Sequence, residues 1–167
     1  MVMGGWRVNS LASFLSGLPF SVSASNQLSM LGSTQRADQV LPDVKQLGNV
    51  GTSGSFFDPL AFKPVTGLRF GNAGFFSMRG PGAVNTDVSI SREFAIKEKY
   101  RLQFRFEAFN FLNTPHFALP GANASNLVLN PDGSVKNLAG YTQITGTQNL
   151  GRDFDERHMQ FDLKIRF

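Results

Sequence analysis

Cysteine is absent from the 167 residues, which rules out a disulfide scaffold and any thiolate metal centre while leaving the compartment open. Histidine occurs only as His116 and His158, too far apart for a metal-ligand motif. Long hydrophobic runs are missing too: none approaches the ~18 residues of a membrane helix. The opening stretch, MVMGGWRVN, has no basic segment leading into a hydrophobic one, so it is no signal peptide. Charge of one sign is scarce, with 16 Lys plus Arg against 12 Asp plus Glu and no basic run. A nucleic-acid partner therefore has no footprint. Catalytic signatures are lacking as well. Ser16 and Ser53 sit near glycines without a nucleophile elbow. Arg79-Gly80-Pro81-Gly82 lacks the spacing and following helix of a phosphate loop, so it reads as a turn. No enzyme activity, cofactor or metal is expected. Asp153, Asp155 and Glu156 form the one acidic group that suggests a cation, and a solvated loop edge explains them better.

What the chain has is alternation, and a great deal of phenylalanine: 17, against 2 Tyr and 1 Trp. In the last stretch, Arg157 to Phe167, apolar Met159, Phe161, Leu163, Ile165 and Phe167 interleave with His158, Gln160, Asp162, Lys164 and Arg166. Period two puts the two sets on opposite faces of a strand. Tyr100 to Ala108 repeats the pattern, with Leu102, Phe104 and Phe106 against Arg101, Gln103, Arg105 and Glu107. Residues 85–95 follow it with Val88, Ile90 and Phe94 against Asp87, Ser89 and Glu93. Arg92 interrupts that apolar side near one end, where a long side chain reaches an interface. A first strand over Trp6–Leu15 has Trp6, Val8, Ala12 and Phe14 on one side, blurred by Leu11 and Leu15 on the other.

The fold class is therefore all-β: an antiparallel meander of about four long strands near 6–15, 85–95, 100–111 and 157–167. Long turn-rich connections cover 17–84 and 112–156. Parity constrains the central hairpin without fixing it. Both apolar sets fall on even numbers, so opposed residues sum to an even number and the turn holds an odd number of residues. The reading is Lys97-Glu98-Lys99 as the turn, Ile96 facing Tyr100, Phe94 opposite Leu102 and Glu93 opposite Gln103, with Arg101 and Arg105 diagonal to Glu93. Phe20 to Ala24 extends pairing a little, and Tyr141 to Thr147 reads as a short hairpin arm. The first long connection reads as a large surface loop, folded back on the scaffold by Phe56, Phe57, Phe62, Phe70, Phe75 and Phe76.

Strands of about ten residues match a tilted bilayer crossing, and connections that run long, short, long match a membrane barrel. The expected partner of the apolar faces is outer-membrane lipid. Val88, Ile90, Phe94, Leu102, Phe104, Phe106 and Met159 face it, while Glu93, Arg101, Gln103, Arg105, Glu107, Gln160, Asp162 and Lys164 face a wet lumen. A soluble β-sandwich used for binding or adhesion is the alternative.

Five stretches resemble the C-terminal end of TonB-dependent outer-membrane receptors of the Oar-like type. They are GWRVNSLASFLSGLPFSV (Gly5–Val22), FDPLAFKP (Phe57–Pro64), FGNAGFFSMRGPGAVNTDVSISREF (Phe70–Phe94), RLQFRFEAFNFLNTPHFALP (Arg101–Pro120) and the closing RHMQFDLKIRF. The resemblance implies a barrel of about 22 strands closed by a plug, importing a scarce ligand with energy from the inner membrane. It implies bacterial outer-membrane location and a terminal strand, with Phe161, Leu163, Ile165 and Phe167, read by the barrel-assembly machinery. The partners it implies are the rest of the barrel and the plug, and TonB only through an N-terminal part. Plug, TonB box and export signal have no counterpart here, so the chain is expected to be a C-terminal fragment that does not transport alone. The ligand is not legible.

Overall fold

A strand whose side chains alternate strictly must align apolar with apolar across every neighbour, because a one-residue slip exchanges its faces. The computed structural model describes residues 4–25, 34–51, 53–97, 99–148 and 155–167, and it shows that alignment across four strands. They are β1 (Trp6–Leu15), β2 (Ala83–Lys97), β3 (Tyr100–Phe109) and β4 (His158–Arg166). They pair antiparallel in chain order, leaving β1 and β4 as edges.

Strand β2 runs longer than its alternation predicts. Ala83 and Val84 still find partners in Leu15 and Phe14. Strand β3 stops earlier than predicted, at Phe109. Asn110 turns to φ 48° and gives its N–H to Asp87 Oδ1 at 2.9 Å instead of to the ladder.

The central hairpin has the predicted register through its body, with Phe94 opposite Leu102 and Glu93 opposite Gln103. Its tip differs. Lys97, not Ile96, faces Tyr100, and the register shifts between Ala95 and Lys97. Parity holds only along an unbroken ladder. A bulge takes up the odd residue in the strand itself and tightens the turn. Glu98 lies outside the described residues.

The chain divides into two compact units. One comprises Met1–Leu15, Ala83–His116 and Gln148–Phe167, and it contains the sheet. The other comprises Ser16–Gly82 and Phe117–Thr147.

The second unit corrects the reading of 17–84 as a loop. Phe56, Phe57 and Phe62 join Phe20, Val22, Met78, Tyr141 and Ile144 in a buried core, whereas Phe70, Phe75 and Phe76 are exposed. Phe57 is its centre, with ring centroids 5.9 Å from Phe20, 6.0 Å from Phe62 and 5.6 Å from Tyr141. Short two-stranded ribbons tie the backbone, among them Pro19–Phe20 with Met78–Arg79 and Ser23–Ser25 with Thr34–Arg36. At the root of this unit Gly80 N donates to Leu18 O at 3.0 Å. A Cβ on Gly17 would lie 1.8 Å from Gly80 O, so only glycine fits there. Tyr141 to Thr147 is not a hairpin arm: Tyr141, Ile144 and Thr147 make single bridges to Gly121, Gly51 and Phe117. The hairpin sits one turn earlier, where Val128–Leu129 pairs with Val135–Asn137 around Asn130-Pro131-Asp132-Gly133.

An ion pair stiffens this unit. Arg69 holds the buried Asp38 carboxylate with two hydrogen bonds, 2.7 and 2.6 Å. The Arg69 hydrogen bond draws Asp38 below its ordinary value of 3.8, against the opposing effect of burial. A lowered folded value means that the pair's contribution is full above the unfolded value. It is lost as pH falls through the folded one. Amide protection at Gln39 and Asn72, both bonded around Asp38, is expected to hold from pH 6 down to about 4 and then collapse. In Asp38→Asn the protection is already low at pH 6 and the acid step is gone. Unchanged protection in the variant would show that the pair does not order this region.

Candidate functional site

The four-stranded sheet is the chain's most distinctive surface, and it is built in rows. Across one face run Val8, Ile90, Phe106 and Phe161, each opposite the next. The adjoining rows are Trp6, Arg92, Phe104 and Leu163 on one side, and Ser10, Val88, Ala108 and Met159 on the other. Phe94, Leu102 and Ile165 continue it toward the turn. Rings lock the rows, with Phe106 and Phe161 centroids 4.9 Å apart and Phe104 and Phe161 6.4 Å apart.

The other face carries Asn9, Ser89, Glu107 and Gln160 in one row and Arg7, Ser91, Arg105 and Asp162 in the next. Below these lie Glu93, Gln103 and Lys164, then Arg101 with Arg166. Arg101 pairs with Glu93 at 2.9 Å, one of the two diagonals expected from the register; Arg105 turns instead to Glu107 at 3.5 Å. Gln160 donates to Glu107 across the strand pair. Leu11 and Leu15 remain exposed on this polar face, as the first strand's imperfect pattern anticipates.

The apolar face stays open. Val8, Phe161, Leu163 and Ile165 are 65, 72, 65 and 59 % exposed. Leaving such side chains in water forgoes ~1.5–3 kcal/mol each, so a face of this kind needs a cover. Arg92 differs from its expected reach to an interface. It is buried, with its guanidinium 4.5 Å from the Phe94 ring centre and 5.3 Å from that of Trp6. Cation–π attraction of this kind keeps a charge on an apolar face without extending it outward.

At the end opposite the turn, polar side chains close the rim. The imidazole of His116 lies between Asp155 Oδ1, 2.5 Å from Nδ1, and Val84 O, 3.1 Å from Nε2. Its backbone N–H donates to Asp155 Oδ2 at 3.1 Å. Asn110 Nδ2 donates to Thr114 O and to Asp155 O, while Arg157 N donates to Asn113 Oδ1. The chain that leaves β3 is thereby clamped to the chain that enters β4. The sequence reading missed this knot, and it corrects the acidic group considered for a cation: the Asp155 carboxylate is taken by His116. Asp153 lies outside the described residues. No local pattern announces a pair 39 positions apart; the Asn-rich turn at 110–113 is the only hint. His158 begins β4 on the polar face, opposite Phe109.

Comparison with known families gives a match to a model described as an outer membrane beta barrel domain, over residues 1–160. Searches of curated proteins and of solved structures return no match. The matched span contains β1, β2 and β3 entire and the start of β4. A sheet with one continuous apolar face, one charged face and crossing-length strands is what a barrel wall requires. The chain belongs to the outer membrane beta barrel domain family, and its place is the bacterial outer membrane.

Proposed function

We propose that the chain is the C-terminal barrel segment of a TonB-dependent outer-membrane receptor of the Oar-like type, supplying four strands to the wall of a ligand importer. The observation that carries the wall is the row structure. Residues of four strands agree in character across most rows of the crossing; the exceptions are Ser10 and the shielded Arg92 on the apolar face, and Leu11 and Phe109 on the polar one. In this reading Val88, Ile90, Phe94, Leu102, Phe104, Phe106 and Met159 meet lipid. Glu93, Arg101, Gln103, Arg105, Glu107, Gln160, Asp162 and Lys164 line the lumen. Four strands do not close a barrel, since the smallest have about eight; the edges β1 and β4 pair with further strands. The tight turn after Lys97 lies at the periplasmic side, and the long connections 17–84 and 112–156 face outside, where specificity for a ligand is set. Phe161, Leu163, Ile165 and Phe167 serve the barrel-assembly machinery. The protein transports and does not catalyse.

Against the sandwich alternative stands the size of the other strands. Each described strand outside the sheet is two or three residues long, too short to form a second layer.

Genetic epistasis tests the transport half. Deleting the segment and inactivating TonB are expected to cause the same growth defect on the same scarce nutrient, with no addition in the double mutant. A defect that deepens in the double mutant would sink the TonB-dependent reading and leave the barrel assignment standing.

A further inference from the structure

The polar face is not evenly charged. Among the described residues, toward the end where β2 turns into β3, it bears Arg7, Arg105, Lys164, Arg101 and Arg166, against Glu93 and Asp162. Glu93 is occupied by Arg101 at 2.9 Å, and Asp162 stands directly opposite Arg105. Toward the opposite end the face carries the acidic Asp87 and Glu107. Arg101 and Arg166 are themselves direct partners across β3 and β4. Like charges so placed destabilise a sheet, and alternation does not demand them, since any polar side chain satisfies a wet face. Among the described residues no ion pair reaches Arg7, Lys164 or Arg166. A hollow of about 320 Å³ opens beside Arg7 and Arg101, on the first three strands, lined also by Gly5, Ser91, Arg92, Glu93 and Gln103.

We infer that this end of the polar face is a docking surface for an acidic peptide segment in extended conformation. Spacing favours a peptide. Lys164 and Arg166 are two residues apart on β4, about 6.6 Å along the strand. Carboxylates at every second residue of an extended chain repeat at that interval. Arg101 lies across the strand pair at about 5 Å, so each carboxylate of the segment meets one or two cations. Lipid phosphate is the poorer fit, because this face is the reverse of the apolar one. The inference rests on reading this face as the wet side of the barrel wall.

The test uses the whole chain refolded in neutral detergent micelles, with Trp6, the single tryptophan, reporting insertion through its emission. A labelled peptide of alternating glutamate and serine, about ten residues long, is titrated by anisotropy. Saturable binding is expected, with none for the matching lysine–serine peptide. Arg101→Gln with Arg166→Gln is expected to weaken binding about tenfold, and high salt to weaken it in the same direction. Both arginines are exposed, so the variant keeps the fold. An inserted chain that ignores the acidic peptide, or binds it equally in the variant, overturns the docking surface. Polyphosphate binding as tightly with the same arginine dependence overturns it too, by showing an unselective polyanion patch. A Trp6 signal without insertion counts against the barrel reading instead, so the two failures are distinguishable.

Discussion

Phe106→Arg is expected to abolish insertion of the chain into bilayers. Phe106 occupies the central row of the apolar face, between Ile90 and Phe161, with the Phe161 ring 4.9 Å away. An arginine on the lipid face costs ~2–4 kcal/mol near the midplane. Loss of the half-buried ring from its lipid cover adds ~1.5–3 kcal/mol. Together these approach half the ~5–15 kcal/mol by which folded domains are stable. With the variant expressed as part of its whole barrel, protease protection in isolated outer membranes should fall to background. Gln103→Arg, one strand position along from Phe104 on the opposite face, should insert like the native chain. Equal yields for the two variants would refute the assignment of faces.

Phe57→Ala is expected to melt the core formed by 16–82 and 117–147. Phe57 is fully buried and touches three other rings. Truncating such a residue costs ~3–5 kcal/mol through lost transfer energy and the cavity left behind. Amides of the core's bridging residues, including the Ile144 segment, should lose exchange protection, while the ladder amides of β2 and β3 keep theirs. Tyr141→Phe is the matched control. The Tyr141 hydroxyl is buried with no hydrogen-bond partner among the described residues, and burial pushes its ionisation upward. Removing it should cost little or stabilise, because an unsatisfied buried hydroxyl is itself a penalty. A larger loss from Tyr141→Phe than from Phe57→Ala would overturn this account of the core.

The two variants probe parts of the molecule that differ in how far the sequence discloses them. The sheet was largely readable because period two is a local property. Each strand states its own faces, and neighbouring strands must agree in parity. The body of the β2–β3 register followed from that alone. The tip did not, because a bulge at Ile96 breaks the parity rule without leaving any mark in composition. Arg92 was misread for a similar reason. Its distance from the strand end is visible in sequence, but its shelter between Trp6 and Phe94 depends on pairing two segments more than 80 positions apart.

Unit two was read as loop because its strands are two or three residues long, too short for any periodic signal. Its core joins Phe20, Phe57 and Phe62 to Tyr141 and Ile144 across a long chain separation. The His116–Asp155 knot is of the same kind, a polar closure made by residues with nothing local in common.

By itself, then, the sequence determined that four alternating strands form a two-faced sheet, which face is apolar, and which strands are neighbours. Alternation acts over two residues and needs no distant contact to be expressed. Only the tertiary structure decided where the ladders end, how the hairpin tip absorbs its extra residue, and how the excursions acquire a core and a clamp. Those features arise from packing and hydrogen bonds between segments far apart in the chain, and their energy is not encoded in any local pattern.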